Sequence, residues 1–340
     1  MFTGHRVLKS LILAVICSLF LTLISGVFAL PLLRKLKVGQ PILHYVKTHK
    51  QKSGTPTMGG LFFILPSAII FIIFGGLKAR LAIVCLTIGL AYLVVGFLDD
   101  FIKIRFKKNE GLKPYQKIIF QIAIAIMAGV YGYKNGFSIF YVPFIMAEIN
   151  VGVFAIPIIT IIFLAITNSV NLTDGLDGLA GQVSGVYFLF LVVLMSVQYQ
   201  SLNIIHISSE QYYGLSLLSV TLLGGIMGFL FFNMSKAKVF MGDTGSLSLG
   251  GFIGAISIFS LNTFFIPILG IMFVVSSISV IIQVLHYKRT KRRVFLMAPI
   301  HHHFQLLGYT ETQIGYTYAL ITAFFGMLAV LPYLWGVKCI

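Results

Sequence analysis

The sequence predicts an all-α integral membrane protein with about ten transmembrane helices. Of its 340 residues, 58% are hydrophobic and 10% are charged, and the mean hydropathy is +0.97. A soluble domain is about half apolar and about a quarter charged. Most of ten apolar runs reach the roughly 17–25 residues that a spanning helix needs. The runs cover residues 11–33, 58–77, 81–98, 118–133, 151–167, 179–197, 214–232, 246–261, 264–285 and 314–337. We expect residues 1–340 to form one polytopic domain.

The first apolar run could instead be a secretory signal peptide, because Arg6 and Lys9 precede it. Its length of about 23 residues and the basic residues that follow, Arg34 and Lys35, favour a retained helix. The runs at 118–133 and 246–261 are short. Glycines interrupt the second of these, so we expect it in the bundle interior, where small residues let helices approach closely.

Cationic residues support this division into runs and predict its orientation. The alternate gaps that follow runs one, three, five, seven and nine hold 19 of the 25 Lys and Arg residues. By the positive-inside rule these gaps face the cytoplasm, and both termini lie outside. The three cysteines, Cys17, Cys85 and Cys339, have no metal-like spacing and are predicted to be small buried hydrophobes.

The acidic residues are few and fall mostly in the same gaps. Seven of the nine lie there, and Glu148 and Glu210 lie on the other side. A carboxylate at the end of a spanning helix is costly unless it is paired, so this clustering predicts a functional site. The seven are Asp99, Asp100, Glu110, Asp174, Asp177, Asp243 and Glu311.

Asp99 and Asp100 end the third run in the sequence GFLDDF. Neighbouring side chains on a helix point about 100° apart, so we expect the two carboxylates to meet different partners, such as a metal or phosphate and a proton or base. The alternative is a pair of solvated acids balanced by the nearby lysines.

The sequence NSVNLTDGLDGLAG follows the fifth run. Asp174 and Asp177 would share a face if the segment were helical, and its glycines permit a tight turn whose N–H groups could meet a phosphate. An acidic Gly turn that only joins two helices is the alternative, and the ligand spacing of a calcium-binding EF-hand is absent.

Asp243 begins the Gly-interrupted eighth run in the sequence GDTGS. With Thr244 and Ser246 it could cap that helix, or it could join Asp99 and Asp100 in holding Mg²⁺. The sequence lacks the GK[ST] of a phosphate-binding P-loop, so ATP hydrolysis is not indicated.

Three consecutive histidines, His301, His302 and His303, lie in the last of these gaps. Zinc usually requires histidines four apart or distributed Cys and His ligands, so we expect these side chains to bond a phosphate or transfer a proton. Contact of the nearby arginines with anionic lipid headgroups is an alternative that does not account for the histidines. Carboxylates for Mg²⁺ beside Lys and His for phosphates suit phosphoryl transfer to a lipid.

Five motifs, in order along the chain, resemble those of the phospho-N-acetylmuramoyl-pentapeptide transferases, members of the polyprenyl-phosphate N-acetylhexosamine-1-phosphate transferases. The motifs are KSGTPTMGG (52–60), GFLDDF (96–101), NLTDGLDGLAG (171–181), AKVFMGDTGSL (237–247) and MAPIHHHF (297–304). The resemblance implies that phospho-N-acetylmuramoyl-pentapeptide passes from its UDP donor to undecaprenyl phosphate, giving lipid I and UMP with Mg²⁺ as cofactor. It places the site on the cytoplasmic face of a bacterial inner membrane.

The resemblance also implies a role for each matching residue. Asp99 would be the base, Asp100 its partner and Asp243 the Mg²⁺ ligand, while Lys52 and His301 would lie near the diphosphate. The positions around the nucleotide pocket would be Lys103, Asn171, Asp174, Asp177, Asn233 and Phe240, with His302 and His303 also binding substrate. Phe240 could stack on uracil, and Lys103 and Asp177 could meet its polar edge. Attack could be direct or could pass through a phosphoryl-aspartate.

The predicted partners are UDP-N-acetylmuramoyl-pentapeptide, undecaprenyl phosphate and the lipid bilayer, without nucleic acid, and a homodimer is left open. A sibling transferase that uses another UDP-N-acetylhexosamine is one alternative. A secondary transporter is another, but a transporter places ionisable residues near the membrane midplane, whereas here they lie at helix ends.

Overall fold

The structure is a computed structural model that describes residues 4–35, 54–106, 111–143, 147–201, 207–234 and 236–334. Within those ranges the chain forms twelve α-helices and one antiparallel pair of strands. The helices are α1 (Gly4–Lys35), α2 (Leu61–Ile73), α3 (Arg80–Phe106), α4 (Pro114–Lys134), α5 (Ala155–Thr173), α6 (Leu179–Ser201), α7 (Ser209–Asn233), α8 (Gly242–Phe259), α9 (Ile266–Leu269), α10 (Ile271–Thr290), α11 (Ile300–Leu306) and α12 (Glu311–Leu334). The strands are β1 (Ile139–Tyr141) and β2 (Glu148–Asn150).

Eight of these helices are long and apolar enough to cross a membrane, so the chain is a helical, multi-pass membrane protein. They are α1, α3, α4, α5, α6, α7, α10 and α12. The second and eighth predicted runs are helical too, as α2 and α8. The 13 residues of α2 are fewer than a straight span requires, and α8 carries glycine and serine among its apolar residues. The count of ten spans and the placement of the termini stay predictions.

The long helix of the ninth run, 264–285, begins at Ile271, later than the run itself. A 3₁₀ turn at Thr263–Phe265 leads into the four-residue α9, and α10 begins after Gly270. Pro267 lies in the first turn of α9, a position where its missing N–H costs no hydrogen bond. The strand pair was not predicted, because three residues are too few to establish the two-residue periodicity of a strand.

Helix α8 lies in the interior of the bundle, as its glycines predicted. Its residues from Thr244 to Phe259 are all buried, and it packs against α3 and α5. A side chain at Gly251 would collide with the ring of Tyr92 on α3, and one at Gly250 would meet the backbone of Thr167 on α5 at 2.5 Å. Close contact with two neighbouring helices thus depends on missing side chains, as is common in membrane bundles.

Helix α1 packs against α2 and α7. The hydroxyl of Ser18 donates a 2.6 Å hydrogen bond to the carbonyl oxygen of Thr221, and both residues are buried. A Cβ at Gly224 of α7 would collide with the carbonyl oxygen of Val15. This packing agrees with the prediction that the first run is a retained helix of the bundle.

The contact between α1 and α7 can be tested by Gly224→Ala. The added methyl group meets backbone that cannot rotate away, so α1 and α7 must separate, and overpacking of this kind costs about 1–3 kcal/mol. We expect a lower thermal unfolding midpoint in detergent. The control is Gly185→Ala, because the nearest atom to a Cβ there is Cγ2 of Ile226 at an ordinary 3.5 Å. Equal midpoints for the two variants would contradict the packing.

Candidate active site

Three carboxylates meet where the C-terminal end of α3 approaches the N-terminal end of α8. Asp99 and Asp100 belong to α3, and Asp243 lies in the first turn of α8. One oxygen from each of the three lies within 4.8 Å of the others. We call these three residues the carboxylate cluster. The sequence separation of more than 140 residues between its two halves means that only the tertiary structure creates it.

Two lysines neutralise much of this negative charge. The ammonium of Lys103 lies 2.6 Å from Asp99 Oδ2 and 2.9 Å from Asp243 Oδ2. Lys117, from the first turns of α4, also donates to Asp243 Oδ2 at 2.9 Å. Both lysine side chains are largely buried, at 18% and 17% exposure, so water screens these pairs less than it screens surface pairs.

Asp99 and Asp100 have different partners, in agreement with the prediction from their angular separation. Asp99 Oδ1 accepts a 2.9 Å hydrogen bond from the backbone N–H of Leu112. Asp100 Oδ2 accepts two bonds from Thr244, at 3.0 Å from its N–H and 2.7 Å from its hydroxyl. The other oxygen of Asp100 is buried without a hydrogen-bond partner among the described residues and lies 3.9 Å from the Lys103 ammonium.

Asp243 is not a helix cap, so the capping interpretation is wrong. The N-cap residue of α8 is Met241, which makes no side-chain capping bond, and the N–H of Thr244 in the first turn donates to Asp100 rather than to Asp243. The second oxygen of Asp243, Oδ1, accepts a 2.6 Å bond from the side-chain amide of Asn171, which also donates to Ser246 Oγ at 2.8 Å. Asn171 of α5 therefore holds the aspartate from the side opposite the lysines.

Glycines permit the close approach that assembles the cluster. A Cβ at Gly96 of α3 would collide with the carbonyl oxygen of Asp243. Gly242 has a left-handed φ of +72°, a conformation that side chains disfavour, and a Cβ there would also collide with Asp100. The glycine before Asp243 thus serves both the turn into α8 and the contact with α3.

The segment that contains Asp174 and Asp177 is a turn between α5 and α6 rather than a helix. Gly178 has a left-handed φ of +72°, and its N–H donates to Asn233 Oδ1 at 3.0 Å. Asp177 Oδ2 accepts from the N–H of Ala237 at 2.9 Å, and its own N–H donates to Glu311 Oε2 at 2.9 Å. These bonds join the turn to the segment after α7 and to the start of α12.

Asp174 interacts electrostatically with the carboxylate cluster. Desolvation, followed by the negative charges of Asp243, Asp100 and Asp177, raises the pKa of Asp174 well above its usual range. The neutral acid is therefore favoured at this position, and Asp174 would then be a hydrogen-bond donor as well as an acceptor.

His301 is buried on α11, and its ring lies against the Asp174–Gly175 turn. A Cβ at Gly175 would collide with His301 Nε2 and would lie 3.0 Å from His302 Nε2, so both imidazoles converge there. Burial, followed by the neighbouring His302, lowers the pKa of His301 from 6.5 to about 3. The imidazole is therefore neutral at pH 7 and can accept a proton only when its surroundings change.

His302 and His303 have separate positions. His302 is half-buried, and its Nδ1 lies 3.2 Å from Gln305 Oε1. The Nδ1 atom of His303 accepts a bond from the N–H of Leu296 at 3.2 Å, and its ring packs edge-on against Phe295. His303 thus helps to hold the preceding loop, and substrate binding by His302 and His303 stays a prediction.

The segment 54–60 pairs with the segment before α8. The N–H of Phe240 donates to Pro56 O at 2.8 Å, and the N–H of Gly59 returns a bond to Phe240 O at 2.9 Å. The half-buried Phe240 ring is therefore held beside the entrance to α8. Lys52, Glu110 and Cys339 lie outside the described residues.

The ammonium of Lys103 lies in the carboxylate cluster, and its contact with the polar edge of a nucleobase stays a prediction. Both polar atoms of the Asn233 side chain, which was predicted beside the nucleotide, bond backbone groups. Oδ1 accepts from the N–H of Gly178, and Nδ2 donates to Val239 O at 2.8 Å. Three contributors were missed: Lys117, Thr244 as a partner of Asp100, and Glu311 as a partner of the Asp177 turn. Lys117 stood among many basic residues, and nothing in the sequence singled it out.

Carboxylates and lysines cluster at one end of a membrane helix bundle, and the comparisons identify the class of protein as a transferase. The model of glycosyl transferase family 4 matches residues 81–261, and phospho-N-acetylmuramoyl-pentapeptide-transferase signature 1 matches residues 52–64. A phospho-N-acetylmuramoyl-pentapeptide-transferase of Clostridium perfringens (strain ATCC 13124) is 41% identical over 330 residues, 95% of this chain and 98% of the relative.

Relatives of the same name from other organisms are similarly close. The one from Thermoanaerobacter sp. (strain X514) is 40% identical and covers 93% of this chain and 96% of its own length. The one from Clostridium botulinum (strain Alaska E43) is 39% identical and covers 88% of this chain and 90% of its own length. The chain belongs to the phospho-N-acetylmuramoyl-pentapeptide-transferase family, as the five motifs predicted.

The neutral state of buried His301 predicts a pH dependence of stability. Its pKa is lowered to about 3 in the folded protein, whereas an unfolded histidine titrates near 6.5. Between these values the unfolded chain binds more protons, so acidification weakens the folded state by up to about 1.4 kcal/mol per pH unit. We expect His301→Gln to reduce the fall in thermal midpoint between pH 6.5 and 4.5. The control is His286→Gln, at an exposed position; identical pH profiles for wild type and His301→Gln would contradict the prediction.

Proposed function

We propose that the chain transfers phospho-N-acetylmuramoyl-pentapeptide from its UDP donor to undecaprenyl phosphate, releasing UMP and forming lipid I for peptidoglycan synthesis. The observation that carries the proposal is the carboxylate cluster with its two lysines, at the same end of the bundle as the histidine helix α11. Family membership supports the identity of the donor. We place this end of the bundle at the cytoplasmic face of a bacterial inner membrane, following the positive-inside rule.

The carboxylate cluster fits a Mg²⁺ ion. Mg²⁺ prefers hard oxygen ligands, and the cluster offers an oxygen from each of Asp99, Asp100 and Asp243 within 4.8 Å. Asp100 Oδ1 is buried without a hydrogen-bond partner among the described residues, an arrangement that is costly unless a cation completes it. When bound there, Mg²⁺ would neutralise charge on the donor diphosphate and on the departing UMP.

The charge balance of the site suits two anionic substrates. When all three carboxylates are ionised, they and the two ammonium groups leave one net negative charge, which a divalent cation reverses to positive. Phosphoryl transfer depends largely on positioning and charge neutralisation, so a site with this balance can bring the lipid phosphate to the donor diphosphate. Lys103 and Lys117 can turn from Asp243 towards phosphate oxygens because ammonium groups bond without a fixed orientation.

Asp99 is the better candidate for the base. Its Oδ2 is held by the ammonium of Lys103, which can rotate away, whereas two bonds from Thr244 fix the orientation of Asp100. In the proposed reaction Asp99 takes the proton of the lipid phosphate, whose oxygen attacks the β-phosphorus of the donor. The bond from that phosphorus to the bridging oxygen breaks, and UMP leaves with that oxygen.

The choice of donor is tested with purified protein, undecaprenyl phosphate and Mg²⁺. We expect UMP and a lipid-linked product with UDP-N-acetylmuramoyl-pentapeptide and not with UDP-N-acetylglucosamine, measured by chromatography of the nucleotide and the lipid. Release of UMP with the second donor alone would identify a sibling transferase. No release with either donor would favour a transporter.

Asp243→Asn tests the cluster directly. The amide keeps the shape of the side chain but removes the charge that holds the lysines and the proposed Mg²⁺. We expect UMP release to fall by about 10²–10³-fold or more, the range for loss of one electrostatic contact to a transition state. Chelation of divalent cations should abolish release by wild type, and Mg²⁺ should restore it. The control is Glu148→Gln in the exposed strand β2; full activity of Asp243→Asn would remove this residue as the metal ligand.

A further inference from the structure

A line of polar contacts joins the histidine helix α11 to the start of α12. His302 Nδ1 lies 3.2 Å from Gln305 Oε1, one turn later on the same helix. The amide nitrogen of Gln305 donates to Glu311 Oε1 at 3.4 Å. The other oxygen of Glu311 accepts the N–H of Asp177 at 2.9 Å. The orientation of the Gln305 amide is therefore tied to the turn that contains Asp174 and Asp177.

The carboxylate of Glu311 determines which atom is the donor in each hydrogen bond between Glu311, Gln305 and His302. An ionised carboxylate only accepts hydrogen bonds, so the Gln305 atom that faces Glu311 must be the NH₂ group. The carbonyl oxygen of Gln305 then faces His302 Nδ1 and can only accept. His302 must therefore carry a proton on Nδ1, and in the neutral ring Nε2 is then the nitrogen with the lone pair.

We propose that Gln305 is a positioning residue that fixes His302 as the Nδ1–H tautomer, which presents Nε2 as a hydrogen-bond acceptor beside the Asp174–Gly175 turn. A Cβ at Gly175 would lie 3.0 Å from this Nε2 atom, so the acceptor lies against the turn. Glu311 holds the amide of Gln305 in its orientation, and the bond from Asp177 holds Glu311.

The tautomer determines what His302 can recognise. A neutral Nε2 acceptor repels the oxygens of an ionised phosphate and attracts a hydroxyl or an amide N–H. Resting on the proposed function, His302 therefore contacts a sugar hydroxyl or an amide N–H of the UDP-linked donor rather than its diphosphate. This differs from the prediction from sequence, in which the histidines bond a phosphate.

The tautomer can be measured on the full-length protein in detergent. With ¹⁵N-histidine labelling, two-bond ¹H–¹⁵N correlation spectra separate protonated from unprotonated ring nitrogens, and His302→Gln identifies the His302 signals by their loss. We expect Nδ1 at the shift of a protonated nitrogen and Nε2 at that of an unprotonated one. The opposite assignment in wild type would overturn the proposal.

Two variants and a control separate positioning from packing. Gln305→Met removes the acceptor while nearly conserving length, so both nitrogen shifts of His302 should move towards the average of two exchanging tautomers. The double exchange Gln305→Glu with Glu311→Gln keeps an acceptor facing His302 and a donor facing the new carboxylate, so it should keep Nδ1 protonated. The control is Gln313→Met, which removes a comparable 3.0 Å bond to the N–H of Thr310 at the start of α12. Unchanged His302 shifts in Gln305→Met, or equal changes in the control, would overturn the role of Gln305.

Kinetics test the contact with the donor separately. Gln305→Met should raise the KM for UDP-N-acetylmuramoyl-pentapeptide by about 2- to 10-fold, which corresponds to the roughly 0.5–1.5 kcal/mol of one neutral hydrogen bond, with a smaller change in kcat. An unchanged KM would overturn the contact between His302 and the donor. The spectra need no substrate, so an absent transferase activity would refute the proposed function and leave the tautomer measurement valid.

Discussion

The structure at one end of the bundle depends on the neutralisation of a single carboxylate, that of Asp243. A charge removed from water is costly unless opposite charges and hydrogen-bond donors surround it. Lys103 of α3, Lys117 of α4 and Asn171 of α5 each supply a donor. Each contact fixes the end of one helix relative to α8, so one charge helps to set the positions of four helices. The same contacts place Asp99 and Asp100 beside Asp243, which produces the candidate metal site.

This arrangement is possible only because α3 and α8 approach each other more closely than side chains at Gly96 and Gly242 would allow. Gly96 provides the room for the carbonyl group of Asp243, and Gly242 provides the room for the carboxylate of Asp100. Thr244 can then bond Asp100 with both its N–H and its hydroxyl. A site of this kind concentrates like charges, and like charges at close distance disfavour the folded state. The site thus holds unfavourable negative charge that a cation can relieve.

Around the cluster, several residues predicted to touch substrate also hold the loops. Asn233 bonds the backbone of Gly178 and Val239, and Asp177 bonds the backbone of Ala237. His303 bonds the backbone of Leu296. Loops that carry a site need such bonds because their own backbone groups have no helical partners. A polar residue in a motif can therefore serve the site by positioning its neighbours.

The sequence by itself determined the helical membrane fold, the ten apolar runs, the buried position of α8 and the family, because hydropathy and short motifs are local properties. It also identified Asp99, Asp100 and Asp243 as residues of one site, since few acids occur in a chain this apolar. Only the tertiary structure decided that Lys103 and Lys117 share one oxygen of Asp243, that Asp243 caps no helix, and that the ninth run is broken at Gly270. It also placed Gln305 of α11 between His302 and Glu311 at the start of α12. These contacts join residues that are distant in sequence or depend on which way a side chain points, and neither property can be read from local pattern.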